Sequence, residues 1–157
     1  MGKGDIVILS GCRTPIGSFG GSLKDVRAYQ LGALVMTEAL KRAAVTGDML
    51  DDVIFGDCIQ TCDEANTART AALKAGIPFE VPATTIQRQC ASGMQAVIFA
   101  SQQIIAGDST IVLAGGVESM SNAPYVLKKA RWGARLQHGE MTDAMWDLLH
   151  SGSGLLG

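Results

Sequence analysis

Charge is scarce in this 157-residue chain, at 18% of residues against about a quarter in an ordinary globular domain. An excess of basic residues is missing as well: 13 Lys and Arg face 15 Asp and Glu, a net charge of -2, and the pI is near 5.6. Nucleic acids and anionic membranes are recognised through a basic footprint, so neither is an expected partner. No apolar run approaches the ~20 residues of a membrane span. The run Ile6-Val7-Ile8-Leu9 is too short for the apolar region of a secretory signal and reads as a buried strand. Met1-Gly2 opens like a myristoylation signal, but Ile6 stands where Ser or Thr is needed. A cytoplasmic location is therefore expected. Cys12, Cys58, Cys62 and Cys90 are then expected to be reduced. They form no C-x-x-C pair, and His138 and His150 lie too far apart to share one helical face, so no metal site is expected.

Apolar residues, by contrast, are plentiful. They make up 47% of the chain, and the mean hydropathy is +0.21, enough to build a core and to exclude disorder. Glycine numbers 19 of 157, well above the usual ~7%, without a collagen-like period. Many turns or close backbone approaches are implied. The length suits one domain or a piece of one.

Periodicity gives the order of elements. After the apolar start at 6–9 and a turn-rich loop at 13–17, apolar residues recur at Leu31, Leu34, Val35 and Ala39, predicting a helix over 27–44 that ends before Gly47-Asp48. Val53-Ile54-Phe55 is a short strand. Asn66 is a candidate N-cap for a helix over 67–75, closed by Gly76 and Pro78. A third strand is expected over 82–86, a third helix over 91–106, stopped by Gly107-Asp108, and a fourth strand over 111–114. The strands are apolar on both faces and alternate with helices, which predicts an α/β fold: a mixed, mostly parallel sheet with helices on both faces. Past Gly116 the character changes. Residues 122–139 read as an extended excursion, and 141–149 as a helix. The expected division is a core over 1–120 and the start of a second, loop-rich region over 121–157.

Several patterns compete as candidate chemistry. Gly152-x-Gly154-x-x-Gly157 matches the dinucleotide fingerprint in letters only. That motif needs a strand before the glycines and a helix after them, whereas here a helical segment precedes, so a flexible connector is the better reading. The glycine-rich loop 13–21 lacks the Gly-Lys-Ser/Thr ending of a phosphate-binding loop, and Arg13 is expected to tie down its own loop. Cys90 stands apart. It follows a strand and the polar pair Arg88-Gln89, at the expected first turn of the third helix, with Ala91, Ser92 and Gly93 behind it. A helix N-terminus stabilises a thiolate. Small neighbours let a carbonyl approach backbone amides that would hold an oxyanion. Position alone leaves a nucleophile and a buried structural cysteine equally open. Cys12, Cys58 and Cys62 are read as packing residues, with exposure of Cys58 and Cys62 left open. His138 and His150 are candidate general bases, though a solvated or capping role suits either better.

The stretch Gln87-Arg88-Gln89-Cys90-Ala91-Ser92-Gly93-Met94-Gln95-Ala96 resembles the thiolase family of acetyl-CoA acetyltransferases. Arg13-Thr14-Pro15-Ile16-Gly17, Asn66-x-Ala68-Arg69, Ala75-Gly76-Ile77-Pro78 and the run from Ala114-Gly115-Gly116-Val117-Glu118-Ser119-Met120 to Pro124 agree with it, in the same order. The resemblance implies that Cys90 is the catalytic nucleophile, which takes an acyl group from a coenzyme A thioester. It implies reversible condensation of two acetyl-CoA, or thiolysis of a 3-ketoacyl-CoA, with no cofactor beyond the coenzyme A substrates. Thiolases have two halves, and the second supplies histidines and a further cysteine. Neither a Gly-His-Pro nor a late Cys-x-Gly occurs in this sequence. The chain thus resembles the N-terminal half only, and its expected partners are acyl-CoA, a C-terminal half or partner chain, and further copies in a homo-oligomer. A non-catalytic subunit and a condensing enzyme of the ketoacyl-synthase kind are the alternatives. The Arg13-Thr14-Pro15 and Asn122-Ala123-Pro124 stretches favour thiolase over the latter.

Overall fold

A computed structural model describes residues 5–151 of the chain. Three parallel strands form its sheet: β1 (Asp52–Gly56), β2 (Ala83–Ile86) and β3 (Val112–Gly116), in the order β2-β1-β3. Val53 pairs with Ala83 on one side and Leu113 on the other. β1 is thus central, and its burial is close to complete. Helix α1 (Ala28–Ala43) precedes β1, α2 (Thr67–Lys74) joins β1 to β2, and α3 (Ser92–Ala106) joins β2 to β3. Alternation along β1 sends Val53 and Phe55 into one core, with Met36 of α1 and Ala68, Ala71 and Ala72 of α2. Ile54 points the other way, to Ala96 and Ala100 of α3. Helices therefore cover both faces, as the apolar strands require.

Local chemistry explains the boundaries. Asn66 caps α2 by accepting the Arg69 amide at 3.0 Å, and Gly107 closes α3 in the left-handed region at φ 88. α1 ends on Ala44, itself left-handed at φ 53, and Gly47–Met49 forms a separate 3-10 turn rather than the helix stop. The buried face of α1 also differs from the expected stripe. Ala28, Gly32, Ala33 and Met36 are buried, whereas Leu34 is exposed. A Cβ on Gly32 would lie 3.0 Å from the Ala71 side chain, so α1 meets α2 through small residues rather than leucines.

The expected first strand is not formed. Residues 6–9 are exposed, Ile8 to 84%, and pair with nothing in the sheet. Side-chain bonds pin this segment to α1 instead: Ser10 donates to the Ala39 carbonyl at 2.7 Å, Cys12 to that of Val35 at 3.2 Å, and Arg42 reaches the Gly11 carbonyl at 3.0 Å. A cavity of about 540 Å³ is lined by this segment together with residues of α1, α3 and β3. Among the described residues the sheet is accordingly all parallel, not mixed.

The excursion after Met120 contains one antiparallel pair, β4 (Tyr125–Val126) with β5 (Thr142–Asp143). α4 (Ala144–His150) follows, capped by Asp143 accepting the Met145 amide. No described helix is long and apolar enough to cross a membrane. Gly152, Gly154 and Gly157 lie outside the described residues.

Candidate active site

The carboxyl ends of β1 and β3 are glycine, and the reason is steric. A Cβ on Gly56 would lie 2.3 Å from the Ser92 carbonyl carbon, and one on Gly116 would lie 2.9 Å from the Gly93 Cα. Bare backbone lets the start of α3 rest directly on the strand ends. The turn that leads into α3 is thereby fixed against the sheet.

Cys90 sits on that turn and is exposed. The helix begins at Ser92 with Ala91 as its cap, so Cys90 precedes the first helical turn rather than lying within it. The turn bonds itself closed. The Ala91 amide donates to Arg88 at 3.1 Å, and the Ser92 amide to Gln89 at 3.0 Å. The buried Ser92 hydroxyl donates to the Gln89 carbonyl at 2.6 Å and accepts the Arg88 amide at 2.7 Å. The Arg88 guanidinium bonds the Gln95 side chain. Gln89 takes φ 49, a left-handed conformation that a non-glycine residue holds only when its surroundings impose it. The amides of Gly93 and Met94, next along the helix, donate to no acceptor among the described residues. An exposed cysteine thus immediately precedes a helix start whose first amides are unpaired among the described residues.

Under the turn lies a polar cluster that sequence reasoning missed. Cys58, in the loop after β1, donates its thiol to the Gln89 carbonyl at 3.0 Å and lies 3.6 Å from the Ser92 hydroxyl. Its own amide donates to Glu118 at 3.0 Å, and the Ile59 amide to the same carboxylate at 3.2 Å. Asp57, only 1% exposed, accepts the Ile59 amide at 3.3 Å and the Thr67 hydroxyl. Burial pushes the Glu118 carboxyl above its ordinary range, the Cys58 amide opposes the shift, and the neighbouring Asp57 adds to it. Burial likewise raises the Cys58 thiol, with Glu118 and Asp57 contributing. Cys58 is therefore a protonated donor, not a packing residue. The available signal was Glu118, an acidic residue two positions past an apolar strand, but nothing in the spacing linked it to residue 58.

The other candidates fall elsewhere. Cys62 is exposed, Cys12 bonds α1, and Arg13 donates to the Thr14 carbonyl at 3.1 Å, tying its own loop as expected. His150 bonds the Trp146 carbonyl at 2.8 Å and stacks near the Trp146 ring. His138 is exposed. The described residues contain no cluster of metal-ligating side chains.

Fold and turn together define a class: an α/β domain that presents a cysteine between a parallel strand and a helix start. Comparison with known proteins narrows it. The family "Thiolase, N-terminal domain" matches residues 6–153, and the chain belongs to the thiolase family. It is 49% identical over 143 residues to an acetyl-CoA acetyltransferase of Syntrophomonas wolfei, covering 90% of this chain and 36% of that protein. It is 48% identical over 147 residues to a beta-ketothiolase of Cupriavidus necator, covering 93% and 37%. The crystal structure of the Bacillus anthracis acetyl-CoA acetyltransferase superposes with a TM-score of 0.88 at 57% identity, covering 91% of this chain and 36% of that one. The chain thus spans little more than a third of the length of these relatives.

Proposed function

We propose that this chain carries the nucleophile of a thiolase-type acyltransferase, and that Cys90 is that nucleophile. The observation that supports the reading is the exposed Cys90 thiol on a turn locked against glycine strand ends, just before a helix start whose Gly93 and Met94 amides are unpaired among the described residues. The Cys90 thiolate attacks the carbonyl carbon of an acyl-CoA, the amides receive the developing oxyanion, and coenzyme A leaves as its thiol. The acyl-cysteine thioester then passes its acyl group to a second substrate. An acetyl-CoA carbanion gives acetoacetyl-CoA when that acyl group is acetyl. In thiolysis the thiolate instead attacks the 3-keto carbon of a 3-ketoacyl-CoA, the C2–C3 bond breaks, and acetyl-CoA leaves as its carbanion and takes a proton. The thiol of coenzyme A then removes the acyl group from Cys90.

Both directions also need a base, to take the proton of a thiol or of a weakly acidic methyl group. His150 is engaged with its own helix and His138 is exposed; the resemblance to thiolases assigns the base to the second half, a C-terminal half or a partner chain. General acid–base groups contribute roughly 10²–10⁴-fold each. The expected outcome is no measurable thiolysis of acetoacetyl-CoA by this chain alone, and turnover once a separately produced C-terminal half of a matching thiolase is added. Cys90→Ala should abolish that restored turnover. Restored activity that survives Cys90→Ala overturns the nucleophile assignment; turnover by the chain alone overturns the divided site.

A further inference from the structure

We propose that Cys58 is a positioning residue for Cys90: its thiol, anchored through Glu118 to the end of the sheet, holds the Gln89 carbonyl and so fixes the peptide that leads into Cys90. The proposal rests on Cys90 being the nucleophile. The Gln89 carbonyl accepts from three donors: the Ser92 amide at 3.0 Å, the Ser92 hydroxyl at 2.6 Å and the Cys58 thiol at 3.0 Å. The first two come from the helix the turn leads into, so they move with it. Among the described residues only Cys58 reaches the carbonyl from another element, the loop after β1.

That loop is itself held. Glu118, two residues past the end of β3, accepts the amides of both Cys58 and Ile59, and Asp57 takes the Ile59 amide a second time. A line of bonds therefore runs from β3 through Glu118 and Cys58 to the residue before Cys90. Gln89 needs such a hold, because its φ of 49 is one that a side-chain-bearing residue leaves when released. Burial and the adjacent carboxylates keep the Cys58 thiol protonated, as a hydrogen-bond donor must be. Cys58 is thus a cysteine whose use is to stay neutral, beside one whose use is to lose its proton.

Donation and space-filling are separable by substitution. Cys58→Ser keeps a donor and loses size; Cys58→Val keeps bulk and loses the donor; Cys58→Ala loses both. The rate of Cys90 alkylation by iodoacetamide at pH 7, followed in the 157-residue chain by mass mapping, reads the effect on the nucleophile. Hydrogen exchange at the Ser92 amide reads the order of the turn. Alkylation of Cys90 should slow about 3- to 10-fold in Cys58→Val and Cys58→Ala, the worth of one neutral hydrogen bond. Ser92 exchange should quicken in both, while Cys58→Ser stays within about 2-fold of the parent in rate. Parent-like rates in Cys58→Val with slowing in Cys58→Ser would reduce Cys58 to filler. Unchanged rates in all three would end the proposal. Failure of the functional reading shows elsewhere, as restored thiolysis that survives Cys90→Ala.

Discussion

The two faces of the sheet are built to different standards. On the α1–α2 side, nine residues from Met36 to Val81 form a closed cluster, and α1 and α2 meet through Gly32 and Ala71. On the α3 side the buried cluster is Ile54, Ala96 and Ala100. The rest of the apolar surface of α3, at Met94, Val97, Ile98, Phe99 and Ile105, is 39–70% exposed. The candidate chemistry lies at the start of α3. One face supplies stability, and the other presents a cysteine and an uncovered apolar helix. An apolar helix face of that kind is what a partner half or second copy would cover, in line with the divided site proposed above.

The sharpest test of the inequality pairs a truncation on each face. Met36→Ala, at a position with 0% exposure, should cost about 2–5 kcal/mol in urea unfolding. Ile105→Ala, 49% exposed on α3, should change stability by less than ~0.5 kcal/mol. A loss at Ile105 equal to that at Met36 would mean that the α3 face is covered in solution, and the comparison would have to be redrawn on an assembly. A smaller effect probes the seam between helix and sheet. Gly56→Ala drives a methyl into the Ser92–Gly93 backbone and should cost about 1–3 kcal/mol. Gly11→Ala, with nothing within 4 Å of its added Cβ, is expected within ~0.5 kcal/mol of the parent. Equal costs would show that the start of α3 stands off the strands.

These contrasts also explain what was legible beforehand. The three parallel strands, the four helices and the Asn66 cap follow from period and capping chemistry, since each depends on neighbours in the chain. Residues 6–9 have the same apolar pattern as β3, yet only β3 finds a partner, because pairing is set by which edge lies within reach and not by the run itself. The face of α1 was misread for a related reason: a close helix–helix approach selects Gly32 and Ala33 over Leu34, and periodicity alone favours the larger side chain. At the site, the place of Cys90 on a turn between β2 and α3 was legible from the order of strand and helix. Cys58 was not. Its partners are 31 and 60 residues away along the chain, and a thiol that donates to a carbonyl leaves no mark in the spacing of residues.

The smallest expected effect concerns pH and singles out the anchor of that buried network. Glu118 is held above its ordinary carboxyl range, first by burial and then by Asp57, against the pull of the Cys58 amide. A carboxyl of the unfolded chain titrates near ~4.3, so the folded protein binds this proton more tightly than the unfolded one. Its contribution to stability is then fully present below about pH 4.3 and is lost as pH rises through the folded value. Glu64 is also raised, again by burial and against the Tyr29 amide it accepts, and pushes the same way. The parent protein should therefore show urea midpoints that decline over the mildly acidic range. Glu118→Gln keeps a carbonyl oxygen for one of the two amides but has no proton to lose, and Glu64 is common to both proteins. Subtracting the two pH series isolates Glu118. The variant should be relatively weaker at the acid end and gain on the parent as pH rises. A difference that stays constant across that range would mean that the carboxylate ionises in the folded protein as easily as in the unfolded chain. The Cys58 anchor would then be an ordinary solvated acceptor, and the α3 side would lose the feature that ties its turn to the closed half of the molecule.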